Sequence, residues 1–168
     1  MKTTARVRLE PWSEDDLDLL RRTNTPEMTK HLGGPETEAR LIDRHRRYLE
    51  IGDTGRVFRV VLDPGGEVAG SVMYWEREWR GSTVWEMGWA VLPEFQGRGI
   101  AGAATLAAVA AARAERRHRY VHAFPSVDNP GSNAICRKAG FEQLAVIDFE
   151  FRGSVLRCND WRLDLAAS

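Results

Sequence analysis

The stretch Val91-Leu92-Pro93-Glu94-Phe95-Gln96-Gly97-Arg98-Gly99-Ile100-Ala101-Gly102-Ala103-Ala104 constrains this chain most. Upstream of it, Trp85-Glu86-Met87-Gly88-Trp89-Ala90-Val91 is aromatic and apolar apart from Glu86, the pattern of a largely buried strand. Downstream, Gly99 to Arg113 is mostly Ala with Leu106 and Val109, a run of strong helix former. Two glycines remove side chains where the backbone turns into that helix. The first N–H groups of a helix lack partners within it, and the helix dipole adds partial positive charge there. A glycine-lined helix start therefore suits a phosphate, with Arg98 as a charged clamp. The competing reading is a tight strand-to-helix turn that binds nothing. The loop is neither a G-x-G-x-x-G dinucleotide turn nor a Walker loop, since no Gly-Lys-Ser/Thr follows.

The rest of the chain arranges itself around this unit. Arg6 to Glu10 alternates and meets Pro11, a short strand with a stop. Ser13 caps a helix whose first turn carries Glu14, Asp15 and Asp16. Thr25-Pro26-Glu27 reads as a cap and proline opening a second short helix. Gly33-Gly34-Pro35 breaks the chain, and Glu36 to Ile51 reads as helix, with Leu41, Ile42, Tyr48 and Leu49 inward. Arg56–Leu62 and Glu67–Trp75 read as a hairpin around Asp63-Pro64-Gly65-Gly66. Glu76 to Ser82, of mixed charge with Gly81, reads as a connection. Thr83–Val91 and Arg119–Phe124 are further strands. Asn129-Pro130-Gly131-Ser132 opens a helix over Asn133–Lys138, closed by Gly140. Phe141–Phe151 and Val155–Leu163 form a second hairpin. Strands separated by helices tend to be parallel and hairpins antiparallel, so a mixed sheet with helices on both faces is expected.

Bulk properties narrow the function classes. At 168 residues, one domain over 1–168 is expected, large enough for a real core. Acidic and basic side chains balance at 24 each, so no general basic field exists to hold nucleic acid. The longest apolar run is too short and too weakly hydrophobic to span a bilayer. The N-terminus has no apolar signal region. Cys136 and Cys158 show neither metal spacing nor a disulfide framework, which fits a reducing cytoplasm. No metal is expected.

The loop Gln96-Gly97-Arg98-Gly99-Ile100-Ala101 resembles the Gln/Arg-x-x-Gly-x-Gly/Ala signature of the GCN5-related N-acetyltransferases (GNAT). Asn129-x-x-Ser132, followed by Ala139-Gly140-Phe141, resembles the closing motif of the same superfamily in its ribosomal-protein N-terminal acetyltransferase (RimJ/RimL-like) branch. Together these cover roughly residues 84–141, with a strand between them. The resemblance implies a GNAT fold: α/β, with a central mixed, mostly antiparallel twisted sheet of about seven strands and helices on both faces. It implies acetyl-CoA as co-substrate. Gln96, Gly97, Arg98, Gly99, Ile100 and Ala101 would lie on its pyrophosphate, and Ala90, Val91 and Leu92 along the pantetheine and oxyanion. Asn129 and Ser132 would sit near the thiol end.

The reaction adds its own requirements. An amine must be neutral to attack a thioester. Deprotonating a Lys-like amine of pKa about 10.4 at pH 7 costs roughly 4–5 kcal/mol, and an α-amine near 8 about 1.4 kcal/mol. A general base recovers part of this. Glu86, flanked by Trp85, Met87 and Trp89, is the candidate, because apolar neighbours raise a carboxyl's pKa. The competing role is a strand carboxylate paired to an Arg. Many family members place Tyr seven residues after the Asn of the closing motif, as acid for the thiolate. Here that residue is Cys136, so Ser132 or water is the candidate donor. A thiol of pKa about 8.5 also leaves with little help.

The remaining residues lean structural. His31, His45, His118 and His122 have no ligand spacing and read as surface or loop groups, with His122 the strongest as a site residue. Arg113 to Arg119 is a basic helix end facing water, with coenzyme 3′-phosphate contact the lesser reading. Trp75, Trp79, Trp85 and Trp89 pack a core, and one is a candidate wall of the acceptor pocket or of a homodimer interface. The expected function is direct acetyl transfer to a primary amine, either a protein N-terminal α-amine or a small molecule, with no nucleic-acid or membrane partner. Two rivals are a non-catalytic acyl-CoA-binding or sensor domain of the same fold and an interaction module whose loop binds no ligand.

Overall fold

Seven strands and four helices follow from these patterns in a computed structural model that describes residues 6–167. The N-terminal residues read above as lacking a signal region lie, from 1 to 5, outside the described part. The elements are β1 (Val7–Pro11), α1 (Leu17–Thr23), α2 (Glu38–Leu49), β2 (Gly55–Leu62), β3 (Val68–Trp79), β4 (Ser82–Val91), α3 (Ile100–Glu115), β5 (Tyr120–Ala123), α4 (Pro130–Lys138), β6 (Glu142–Phe151) and β7 (Ser154–Asp164). They form one sheet of order β1-β2-β3-β4-β5-β7-β6. Every pairing is antiparallel except β4 with β5. The expected mixed, mostly antiparallel seven-stranded sheet is present. No helix among the described residues is long and apolar enough to cross a membrane.

Side-chain alternation assigns each face its layer. Val60, Val72, Tyr74, Trp85, Met87 and Val121 point to one side, where α3 meets them with Ile100, Ala104, Ala108 and Ala112. Alanine at four-residue intervals lets the helix backbone approach the sheet closely. Val57 and Met73 point to the other side, against Trp12, Leu19, Leu20 and Leu41 from the α1–α2 region.

Several local expectations change. Thr25-Pro26-Glu27 opens no helix. Thr25 caps Met28 through its hydroxyl and Thr29 N–H returns to Thr25 O, but the chain then runs through turns to Gly33-Gly34. Glu36 stays outside α2, which Thr37 caps. Ile42 and Leu49 are exposed rather than inward. The buried stripe is instead Leu41 and His45, with Tyr48 half-buried; His45 enters because its Nδ1 accepts from Trp12 Nε1 at 3.0 Å. His45 is thus a satisfied core group, not a surface one. α4 begins at Pro130, where a proline costs no hydrogen bond.

The largest change concerns Glu76 to Ser82. It is no long connection. β3 continues to Trp79 and β4 starts at Ser82, so Arg80-Gly81 alone makes the turn, with φ of 51° and 83°. Both values suit a two-residue hairpin of the primed type. Charge hid an alternation in which Trp75, Arg77 and Trp79 share one face.

Candidate active site

The sheet opens at one point. β4 pairs with β3 as far as Val91, but with β5 only at Trp85↔Val121 and Glu86↔His122. Past Glu86, β5 leaves β4 and its continuation follows β7, through a bridge from Ser126 to Cys158 and bonds Val127 N–H to Arg157 O and Asn159 N–H to Pro125 O. The β4 edge from Met87 to Val91 is left without a strand beside it. Leu92 N–H donates to Ala69 O at 2.8 Å, toward β3. By strand alternation, Ala90 also faces β3, while Trp89 and Val91 aim their N–H groups at the opening. Of Ala90, Val91 and Leu92, then, Val91 offers a free backbone donor. Leu92 is buried in the core, and Trp89, not singled out from sequence, is the second donor.

The glycine loop closes the end of that edge. Gln96 Nε2 donates to Val91 O at 2.9 Å, so this side chain ties the loop to β4. Gly97 and Gly99 have φ of 76° and 77°, a conformation that costs an L side chain about 1–2 kcal/mol. No other group lies within 4 Å of where their Cβ atoms would be. The first backbone bond of the following helix is Ala103 N–H to Gly99 O, and the amides of residues 97–102 have no backbone acceptor among the described residues. Arg98 is exposed, its guanidinium 5.6 Å from the Phe95 ring. Ile100 is buried under the loop and Ala101 half-buried, so these two contribute main chain only. The geometry is an open cradle of N–H groups at the positive end of a 16-residue helix.

The basic end Arg113–Arg119 is excluded from this cradle. It lies at the far end of α3, about 24 Å away at 1.5 Å per residue. Its arginines bind elsewhere: Arg113 to Leu165 O, Arg117 to Glu76 and Asp53 O, and Arg119 to Asp164. This segment is therefore too far from the cradle to contact a 3′-phosphate of a coenzyme held there.

Glu86 stands at the fork itself, on the face opposite α3. Its side chain is 12% exposed, and Oε1 accepts from Arg77 Nη1 at 2.9 Å. Burial pushes its carboxyl up to about 7, with Arg77 pulling the other way. His122, beside it on β5, is buried, and its Nδ1 lies 2.6 Å from Asp160 Oδ1. Asp160 is 1% exposed and its Oδ2 has no partner among the described residues. Cys158 lies close enough that the Glu86 charge adds to burial in raising its thiol. His122 and Asp160 form a pair no local pattern announced, because the residues sit on strands 38 positions apart.

Asn129 caps α4, accepting from Ser132 N–H at 3.1 Å. Ser132 is half-buried and its hydroxyl has no hydrogen-bond partner among the described residues. Asn133, missed from sequence, holds the helix in place: Nδ2 donates to Ser126 O and Asn129 O, and Oδ1 accepts from Asn159 and Trp161. Cys136 is fully buried and its thiol is pushed up to about 12, so it packs and does not donate protons at neutral pH.

A family model described as an acetyltransferase (GNAT) domain matches residues 6–142. The chain belongs to the GNAT acetyltransferase family. As a member it is an acetyl-CoA-dependent acyltransferase. Solved structures share its fold. A GNAT-family acetyltransferase from Bacillus anthracis aligns with a TM-score of 0.78 at 16% identity over 97% of each chain. Spermidine N-acetyltransferase from Vibrio cholerae, solved with CoA and spermine, aligns at 0.78 and 18% over 95% of this chain and 96% of its own. RimL, a ribosomal L7/L12 α-N-protein acetyltransferase solved with coenzyme A, aligns at 0.78 and 15% over 100% and 98%. No protein of curated function matches the sequence. In this GNAT chain the open β4 edge and the glycine cradle both present main-chain donors.

Proposed function

We propose that this chain, as one domain over residues 1–168, transfers an acetyl group from acetyl-CoA directly to a primary amine in the cytoplasm, with Glu86 as general base. One observation carries the reading: a carboxyl raised to about 7 sits at the fork where β4 loses its neighbour. A base near the working pH is the best compromise between being ionised and being basic. The acceptor is a protein N-terminal α-amine or a small-molecule amine. The closing motif favours the first.

In the proposed path the amides of residues 97–102 hold the pyrophosphate, with Arg98 beside it and Gln96 fixing the loop. Pantetheine lies along Trp89–Val91 and places the thioester by Glu86. Glu86 takes one proton from the acceptor ammonium. The nitrogen lone pair attacks the carbonyl carbon, and the oxyanion accepts from a β4 N–H, Trp89 or Val91. Collapse breaks the C–S bond. The second amine proton ends on the thiolate, directly, through water or through Ser132, so the products are an amide and the free thiol.

The test is a thermal melt with and without acetyl-CoA, followed by an amine screen on wild type and Glu86→Gln. Coenzyme at about a hundred times its dissociation constant stabilises by about 2.7 kcal/mol, a rise of roughly 5–11 °C for a chain of this size. Turnover that Glu86→Gln lowers 10²–10⁴-fold establishes the reading. Coenzyme binding without Glu86-dependent turnover would establish a non-catalytic acyl-CoA-binding domain. No melting shift would overturn both.

A further inference from the structure

Three aromatic rings crowd one cation beside Glu86. Arg77 starts on β3 opposite Val84, but its side chain crosses β4. Its Cζ lies 4.4 Å from the Phe149 ring on β6, 5.7 Å from Phe124 just past β5, and 5.6 Å from Trp79. The guanidinium thus lies over the floor of the fork, and an amine reaching Glu86 on this face meets it. The side chain remains one-third exposed.

Its hydrogen bonding is incomplete. A guanidinium carries five N–H donors in a planar fork. Here Nη1 donates to Glu86, and the other donors have no partner among the described residues, with Nε fully buried. Asp160 does not serve: its Oδ1 is bonded to His122 and its Oδ2 has no partner among the described residues. Ring faces stabilise the cation but take up none of its in-plane donors. A carboxylate is the group whose geometry matches a guanidinium edge in two parallel bonds. A second ammonium in the same place would meet a like charge in a poorly solvated site.

Building on the acetyltransferase reading, we propose that Arg77 selects the acceptor: it binds amines that carry a carboxylate close to the reacting nitrogen, and that carboxylate draws the guanidinium away from Glu86. Without such an acceptor, Glu86 Oε1 is engaged by Arg77 Nη1. With it, the guanidinium pairs with the acceptor and Glu86 is free to take the ammonium proton. One residue then both recognises the substrate and releases the base. Because Nη1 and the amine meet at the same carboxyl, the acceptor's anion and nitrogen must be only a few bonds apart, as in an α-amino acid or an acidic N-terminal residue.

The experiment compares isosteric acceptors that differ in one charge: Asp- against Asn-initiated and Glu- against Gln-initiated tripeptide amides, and free glycine against glycinamide. Spermidine and an aminoglycoside are included as polycations. The wild type is expected to show kcat/KM at least tenfold higher for the carboxylate member of a pair. Arg77→Met should bring that ratio to about one, and Arg77→Lys to an intermediate value, with the acetyl-CoA melting shift retained in both as a check on folding. Equal or reversed preference within every pair in the wild type, or a ratio unchanged in Arg77→Met, overturns the proposal. Acetylation of the polycations without any carboxylate-bearing acceptor overturns it too, and leaves acetyl transfer to amines standing. Coenzyme binding with no amine acetylated at all overturns both readings.

Discussion

The two walls of the cleft at the β4 fork are built from different material. The proposed coenzyme wall is main chain: amides over 97–102 with no backbone acceptor among the described residues, open N–H groups of Trp89 and Val91, and two glycines that keep side chains away. The proposed acceptor wall is side chain: Glu86, Arg77, His122 and Asp160, set among Trp79, Phe124 and Phe149. Main-chain donors recognise groups every coenzyme molecule shares, and they tolerate exchange of any neighbour that preserves the backbone. Side chains carry charge and titrate, so they can distinguish one acceptor from another. The comparison teaches that the two walls should fail independently and in different observables.

A crossed pair of variants applies the hardest pressure to that separation. Gly99→Asp places a carboxylate in the pyrophosphate cradle at a φ of 77°. Loss of at least a hundredfold in acetyl-CoA affinity is expected, read as disappearance of the melting shift, with only about 1–2 kcal/mol of stability lost to backbone strain. Glu86→Gln should do the reverse: coenzyme affinity within about twofold of wild type, and turnover down 10²–10⁴-fold. A Glu86→Gln protein that loses coenzyme binding would show that the walls are not separate.

Asn133 ties α4 to β7 and to the segment after β5, behind both walls, and its removal should be the most damaging to the fold. Asn133→Ala strands Asn159 and Trp161 and frees the carbonyls of Ser126 and Asn129. Buried polar groups left unpaired cost about 1–3 kcal/mol each, offset in part by water. We expect a loss of about 3 kcal/mol in denaturant melts, or roughly 6–12 °C in Tm. Coenzyme binding per folded molecule should survive, because α4 supplies none of the amides over 97–102.

Much of the coenzyme wall was legible in the sequence, and little of the acceptor wall. Gly97, Gly99 and the alanine helix are local: spacing alone places them at a strand-to-helix turn. Glu86 was legible because a single carboxylate stands in an apolar strand. Arg77 was not, since charge over Glu76–Glu78 masks an alternation that only the β3–β4 register reveals. His122–Asp160 and Asn133–Trp161 are pairings between distant segments, which composition and period cannot express. Gln96 was legible as part of a motif, but its bond to Val91 O follows only from the way the loop folds back.

Titration sharpens the difference between the walls, since only the acceptor wall carries a shifted carboxyl. The folded protein holds the Glu86 proton up to about pH 7, against an ordinary value of 4.5 for the unfolded chain. Between those values the native state binds more protons, so this group's contribution to stability is full below about 4.5 and is lost as pH rises through 7. A shift of that size corresponds to about 3 kcal/mol. Denaturant melts at pH 4 and pH 8 should therefore show wild type losing about 3 kcal/mol relative to Glu86→Gln as pH is raised. Activity moves the other way: kcat/KM should rise with pH along a limb near 7, which Glu86→Gln lacks. A limb near 4.5 would mean that Glu86 is solvated in the working enzyme.

The smallest effects are expected where the closing motif departs from the family's usual tyrosine. Cys136 occupies that position with no exposed surface and a thiol raised to about 12. Protonated throughout the neutral range, it would be a poor acid, and burial keeps it from the thiolate. Cys136→Ala should cost about 1 kcal/mol for the lost sulfur contacts and leave kcat within about twofold. Ser132 has a free hydroxyl at the start of α4, so Ser132→Ala tests whether any protein group protonates the leaving thiolate. A coenzyme thiol of pKa about 8.5 departs readily as the anion, and water can supply the proton afterwards. The expected drop in kcat is accordingly under about fivefold. A fall of a hundredfold or more would mean that the main-chain wall holds a side-chain catalyst after all, and the division between the two walls would have to be redrawn at Ser132.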